Sequence, residues 1–135
     1  MTNEQKTKLI ETYYEAFNRQ QPKKMLECLH EEIHHDMNQG ATQVGKQKFA
    51  QFLDHMNVCY SEKLKDIVIM TPESGTKASA RFLVDGIYLK TDGDLPPAHK
   101  QKYLIPAGTF FEFKDNLISR VTTYYNLPEW IGLVK

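Results

Sequence analysis

The chain has little cysteine, no excess of charge of either sign and no long apolar run. Its 17 basic residues cancel its 17 acidic residues, whereas a nucleic-acid surface needs a basic field. No apolar stretch approaches the ~20 residues that a membrane helix requires. We therefore expect neither a nucleic-acid partner nor a membrane span.

The only cysteines, Cys28 and Cys59, both fall on the apolar sides of predicted helices. This position favours reduced core residues over a disulfide or a metal pair. The polar residues 1–6 run directly into a helical pattern and show no signal peptide. Both observations predict a cytoplasmic protein.

The chain length and composition suit one domain over residues 1–135. Hydrophobic residues make up 41% and charged residues 25% of the 135 residues, which is ordinary for a water-soluble domain. A chain of this size buries roughly two-thirds of its unfolded surface and needs no covalent staple.

Hydrophobic periodicity predicts helices first and strands afterwards. Helices are expected over 2–18, 22–30 and 46–60, and strands around Asp36 and over 64–71, 77–91, 102–113 and 117–125, with a helical turn at 126–131. Three N-terminal helices followed by strands indicate an α+β fold. We expect the helices to pack in a strongly curved mixed or antiparallel sheet with a cone-shaped interior. The apolar outer face of that sheet would be covered in a symmetric homodimer.

Asp36 is an ionisable residue within a strand-like pattern. Residues 32–39 alternate, with Ile33 and His35 on the apolar side and His34, Asp36 and Asn38 on the other. A carboxylate on an interior face either pairs with a partner or shifts its pKa and gains chemical use. Two alternatives stay open, namely an edge strand with Asp36 in water and a structural carboxylate paired with a His or an Arg.

A metal site near Asp36 is not expected. His30, His34 and His35 are close to it in sequence, but the spacing matches no standard site. His34 and His35 are adjacent on a strand and must point to opposite faces. His34 would share the face of Asp36 and could orient its carboxylate.

Several short strings, in this order and spacing, carry a family resemblance over nearly the whole chain. They are YYEAFN at 13–18, HD at 35–36, VGK at 44–46, FEF at 111–113 and ISRV at 118–121. The chain resembles the ketosteroid isomerase-like and SnoaL-like branch of the α+β superfamily named for nuclear transport factor 2. That resemblance implies the cone-shaped fold.

The resemblance also implies a set of catalytic residues. In the isomerase, a strand carboxylate moves a proton between two carbons while a tyrosine and a protonated acid hold the enolate oxygen. Asp36 falls on the base and Tyr13 on the tyrosine. The third position falls on Thr109, a weaker acid that stabilises developing negative charge less well.

The expected cone-shaped fold would enclose a cavity for a small apolar molecule. Phe17, Met56, Phe111 and Tyr124 would line it, and His34, Asn38 and Thr109 would offer polar contacts to the substrate. No cofactor is required, because the cavity supplies both the proton acceptor and the oxyanion donors. Residues 92–100 form a long connection, which the sequence leaves open as a lid, a dimer element or an inert loop.

These residues favour an isomerase-like or cyclase-like proton-transfer enzyme that acts on a small apolar carbonyl compound. The sequence does not specify which compound. One alternative is a non-catalytic module of the same fold that holds an apolar metabolite or mediates dimerisation. Another is an interaction adaptor that uses the outer sheet face. Tyr13 and Asp36 together favour the enzyme, whereas Thr109 favours the binding module.

Overall fold

The first helix begins at a capping box that is visible in the sequence. In the computed structural model, which describes residues 1–135, the Thr2 hydroxyl accepts a hydrogen bond from the Gln5 amide at 3.1 Å, and the Gln5 side chain accepts one from the Thr2 amide at 2.8 Å. These bonds satisfy two amides that the helix itself cannot pair. The element order is α1 (Asn3–Asn18), α2 (Pro22–Glu27), β1 (Leu29–Asp36), β2 (Thr42–Val44), α3 (Lys46–Cys59), β3 (Tyr60–Met70), β4 (Lys77–Tyr88), β5 (Gln101–Lys114), β6 (Leu117–Tyr125) and α4 (Leu127–Val134).

The six strands form one open, curved sheet in the order β2-β1-β6-β5-β4-β3. Only β1 and β6 pair in parallel, and the other neighbours are antiparallel. In β3 the register shifts between Lys65 and Val68, where Asp66 has a φ of 53°. Such a bulge bends its strand and increases the local twist. The predicted α+β cone with three N-terminal helices is confirmed.

The inner face of the sheet packs against α1 and forms the core. Buried residues alternate along β4 and β5, as expected for strands with one face turned inward. From α1, Ile10, Tyr13 and Tyr14 are buried against this face. Cys28 and Cys59 are both buried and free, as predicted. No helix has the length and apolar character needed to cross a membrane.

Several predicted boundaries were wrong, among them the end of β4, which lies at Tyr88 rather than at residue 91. Residues 42–44, for which no strand was predicted, form the edge strand β2, whose polar sequence lacks the apolar alternation of a buried strand. The second helix ends three residues early, because β1 already begins at Leu29. Strand β3 begins at Tyr60, directly after α3, rather than at residue 64.

The outer face of the sheet exposes an apolar surface. Its large exposed side chains are Val68, Met70, Leu104, Phe110 and Tyr124. Phe110 and Tyr124 contact each other with ring centroids 5.9 Å apart, and Phe110 is 57% exposed. An exposed apolar patch of this kind marks an interaction site. We propose that a second copy of the chain covers it.

A Phe110→Lys substitution should therefore shift the chain towards a monomer without unfolding it, because a charge would be buried in the dimer. Val58→Lys is the matched control, since Val58 is 54% exposed but lies on α3. Sedimentation at micromolar concentration measures the change. A monomeric unmodified chain, or a dimer in Phe110→Lys, would contradict the assignment.

Candidate functional site

The helices and the inner sheet face enclose a cavity of about 400 Å³. Hydrophobic side chains supply 20 of its 27 lining residues. An apolar cavity with a few polar groups is the usual form of a small-molecule site. Five residues predicted for the site line it, namely Tyr13, Phe17, Asn38, Met56 and Thr109.

The placement of Asp36 inside the cone was wrong. Its carboxylate accepts hydrogen bonds from Arg120 Nε at 2.8 Å and Arg120 Nη2 at 3.1 Å, and from the Thr42 and Thr122 hydroxyls at 2.6 Å each. These bonds, with Arg120 as the main cause, hold the pKa of Asp36 well below its usual range. The alternative of a structural carboxylate paired with an arginine describes this geometry.

Three other residues that were predicted to contact the substrate, His34, Phe111 and Tyr124, lie elsewhere in the structure. His34 shares the face of Asp36, and its Nδ1 lies 3.0 Å from the Glu32 carbonyl. Phe111 is buried in the core, with its ring 6.2 Å from that of Tyr13. Tyr124 is 57% exposed on the outer sheet face. None of these three side chains lines the cavity.

His35 is the histidine that faces the cavity, as the alternation along β1 requires once Asp36 points outward. It is 4% exposed and packs against the rings of Phe49 and Phe52, at centroid distances of 4.7 and 4.5 Å. Burial lowers the pKa of His35 to about 4, although the neighbouring Asp36 charge opposes the shift. His35 is therefore a neutral imidazole near pH 7.

A carboxyl group that the sequence analysis missed also lines the cavity. Glu62 on β3 accepts a hydrogen bond from the Tyr103 hydroxyl of β5 at 2.5 Å. Burial raises the pKa of Glu62, while the bond from Tyr103 partly opposes this. Glu62 thus combines a place in the cavity wall with a raised pKa, the two features expected of a carboxyl group that accepts a proton.

Gly86 makes the contact between Glu62 and Tyr103 possible. The register of the sheet places Gly86 of β4 opposite Glu62 on one side and opposite Tyr103 on the other. A Cβ at position 86 would lie 2.3 Å from Tyr103 Cζ. The Tyr103 ring therefore occupies the space of the missing side chain and crosses β4. In the sequence, a glycine stands within the strand pattern of residues 77–88. This glycine is the signal that could have indicated the close approach.

Three buried polar atoms in the cavity wall have no hydrogen-bond partner in the protein. They are Tyr14 Oη, His35 Nδ1 and Asn38 Nδ2, and each belongs to a lining residue. An unpaired buried polar atom costs on the order of 1–3 kcal/mol. The Tyr14 hydroxyl and the Asn38 amide can donate hydrogen bonds, so the wall suits a ligand with acceptor oxygens.

The rim of the cavity carries a second polar group. His55 is exposed and Asp92 is half-buried, and both line the cavity. The Asp92 carboxylate accepts a hydrogen bond from the Tyr60 hydroxyl at 2.6 Å and lies 2.7 Å from His55 Nε2. Leu95, from the connection between β4 and β5, lines the cavity beside them.

Comparison with known families agrees with this architecture. A family model described as the SnoaL-like domain matches residues 10–121. The chain belongs to the SnoaL-like domain family. No curated protein matches the chain.

Solved structures place this SnoaL-like chain among closely similar proteins. A candidate polyketide cyclase from Silicibacter sp. TM1040 is 48% identical, covers 96% of this chain and 94% of its own, and has a TM-score of 0.94. A candidate polyketide cyclase from Pseudomonas putida KT2440 is 46% identical over 100% and 99%, with a TM-score of 0.95. A protein of unknown function from Burkholderia pseudomallei K96243, described as like nuclear transport factor 2, is 13% identical over 97% and 98%, with a TM-score of 0.77, and shares the fold.

Replacing Gly86 by Ala should destabilise the protein by about 2–4 kcal/mol, because the Tyr103 ring must move and its hydrogen bond to Glu62 is lost. Gly108→Ala is the matched control in a neighbouring strand, where the nearest atom to a new Cβ is a backbone oxygen at 3.5 Å. Urea unfolding measures both. Equal, small effects would show that Tyr103 does not cross β4 at Gly86.

The stability of the protein should fall as the pH drops from about 6.5 to about 4. In this window the unfolded chain protonates His35 and the folded chain does not, which costs up to about 3 kcal/mol. His35→Gln should remove this part of the pH dependence, whereas His99→Gln, at an exposed position, should not. Unfolding free energies measured across the window test this, and identical slopes for the two variants would contradict it.

Proposed function

We propose that this chain is an isomerase-like or cyclase-like proton-transfer enzyme that acts on a small apolar carbonyl compound. The observation that carries the proposal is the Glu62 carboxyl group, held by Tyr103 inside an apolar cavity with a raised pKa. A carboxyl group whose pKa moves towards neutrality can both accept and return a proton. The candidate polyketide cyclases that are 46–48% identical support the same class of chemistry.

Glu62 takes the role of base that the sequence assigned to Asp36. Its carboxylate removes a proton from the carbon next to the ligand carbonyl, and the electrons of the C–H bond move to the carbonyl oxygen as an enolate. In an isomerisation, the protonated Glu62 then returns the proton to a different carbon. In a cyclisation, the enolate carbon forms a bond to a second carbonyl carbon, and the new alkoxide takes the proton. These steps need no cofactor.

The enolate oxygen needs donors, and the cavity wall has them. Tyr14 and Asn38 have buried polar atoms without protein partners, and Tyr13 lines the cavity from the same helix as Tyr14. Donors that are held in place before the reaction stabilise the developing charge without reorganising. Because burial raises the pKa of both Tyr13 and Tyr14, their hydroxyls keep their protons and act as donors.

The second candidate function is a non-catalytic module that binds a ligand in the same cavity. Thr109 stands where the isomerase has an acid, and its hydroxyl lies 3.3 Å from the Thr123 hydroxyl. A hydroxyl that is already paired has less capacity to stabilise an enolate. In this alternative the cavity would hold an apolar metabolite and transfer no proton.

A cytoplasmic location is part of the proposal. Two free buried cysteines suit a reducing compartment. The chemistry described above needs no oxidant and no extracellular component.

Proton exchange at the carbon next to a ligand carbonyl tests the proposed function. The assay measures deuterium uptake from D₂O into a panel of cyclic enones by mass spectrometry. Glu62→Gln should slow the exchange by roughly 10²–10⁴-fold, because the proton acceptor is removed. Binding of the enone, followed by ligand-detected NMR, should persist.

The controls separate the role of Glu62 from general effects of charge removal. Glu112→Gln makes the same substitution on β5, where Glu112 pairs with Lys77 at 3.7 Å, and should leave the exchange rate unchanged. Asp36→Asn should lower stability at neutral pH but leave the exchange rate unchanged. Binding without exchange in the unmodified protein would leave the binding module. A rate that falls with Asp36→Asn and not with Glu62→Gln would refute the assignment of the base.

A further inference from the structure

Three side chains of different chemistry converge at the rim of the cavity, apart from the Glu62 group. They are His55 and Cys59 of α3 and Asp92 of the connection between β4 and β5. Their ligand atoms all lie within 4.8 Å of one another. His55 Nε2 is 2.7 Å from Asp92 Oδ1 and 3.9 Å from Cys59 Sγ. A thiol, an imidazole and a carboxylate are together the donors that suit Zn²⁺.

This arrangement does not fit a nucleophilic cysteine site. Such a site needs one ring nitrogen of the histidine for the thiol and the other for the carboxylate. Here both Cys59 and Asp92 approach the same nitrogen, His55 Nε2. The three ligand atoms therefore surround one point in space, as the ligands of a metal ion do.

The separations are close to those of a tetrahedral site. With Zn–N and Zn–O bonds of about 2.0–2.2 Å and a Zn–S bond of about 2.3 Å, ligand atoms lie roughly 3.3–3.6 Å apart. The observed 2.7 and 3.9 Å fall on either side of this range. A change of less than about 1 Å in each of these two separations would bring it into this range.

The backbone holds these residues together without help from an ion. His55 and Cys59 are four residues apart on α3, which places them on one side of the helix. The Leu89 amide donates to the Cys59 carbonyl at 2.8 Å and joins the start of the connection to the end of α3. The Asp92 amide donates to the Tyr88 hydroxyl at 3.0 Å. The site is thus preorganised on two elements.

The second oxygen of Asp92 is oriented as in known metal sites. The Tyr60 hydroxyl donates to Asp92 Oδ2 at 2.6 Å, which leaves Oδ1 towards His55. Carboxylate ligands are commonly held by such an outer hydrogen bond. Cys59 is buried, whereas His55 and Asp92 line the cavity, so a fourth coordination position would face the cavity rim.

From these contacts we propose that His55, Cys59 and Asp92 bind a divalent transition-metal cation, with Zn²⁺ preferred. Three protein ligands and one open position are typical of catalytic rather than structural zinc. The open position would accept water or an oxygen donor of a molecule that enters the cavity. Binding releases the Cys59 thiol proton to solvent, so the affinity rises with pH. The sequence analysis expected no metal and placed Cys59 among the core residues, because the sequence does not show that the fold brings Asp92 to His55 and Cys59.

Titration of the chelator-treated protein with Co²⁺ tests the site without any activity assay. A cobalt–thiolate charge-transfer absorption should appear and saturate at one ion per chain. Cys59→Ser should abolish that absorption, and Cys28→Ser, at the other buried free cysteine, should leave it intact. Zn²⁺ should displace Co²⁺ and remove the absorption.

Two further variants keep the test independent of the folding of Cys59→Ser. His55→Gln changes an exposed residue and should weaken Co²⁺ binding at least about 100-fold, and Tyr60→Phe should weaken it roughly tenfold as the loss of an outer contact. Circular dichroism verifies that each variant is folded. No saturable absorption in the unmodified protein, or binding that is unaffected by His55→Gln, would overturn the proposal. A thiolate signal that depends on Cys28 would do the same.

Discussion

The hydrogen bond from Tyr103 to Glu62 is the contact on which the chemistry of the cavity depends. It places a carboxyl group among apolar walls and fixes one of its oxygens at 2.5 Å from a hydroxyl. The bond spans three strands, and only the absence of a side chain at Gly86 lets the Tyr103 ring pass. A residue with a Cβ at this position would separate the two groups and leave Glu62 without its donor.

Asp36, which the family resemblance assigned as the base, and Glu62, which takes that role in our proposal, have opposite electrostatic environments. Asp36 is stabilised in its charged form by Arg120, Thr42 and Thr122, so it contributes stability above its unfolded pKa that is lost in acid. Glu62 has a raised pKa, so its ionisation opposes folding as the pH rises above its unfolded value. A group that the fold holds at a cost in stability, within a cavity, is a stronger candidate for function than one that stabilises the sheet.

The sequence predicted the architecture because its signals are local. The capping box of Thr2 and Gln5, the apolar period of α1 and the alternation along the strands each depend on neighbouring residues. The placement of Asp36 failed because it came from the family resemblance, whereas the alternation along β1 puts Asp36 opposite the apolar side of Ile33 and His35. Its partner there, Arg120 of β6, lies 84 residues away and cannot be read from local signals. Glu62 and Tyr103 were missed because only the pairing of β3, β4 and β5 brings them together. Asn38 is two residues after Asp36 and would point to the same side if the strand continued. It lines the cavity instead, because β1 and its alternation of side chains end at Asp36.

An NMR titration of the Glu62 side chain in ¹³C-glutamate-labelled protein tests the proposed role of Glu62 most directly. The Glu62 signal is assigned by its absence in Glu62→Gln. The pKa of Glu62 should lie above the ordinary glutamate value of about 4.3. It should rise further in Tyr103→Phe, because the hydroxyl that favours the charged form is removed. A pKa at or below the ordinary value, unchanged by Tyr103→Phe, would contradict the claim that Glu62 is a half-buried carboxyl group held by Tyr103 for proton transfer.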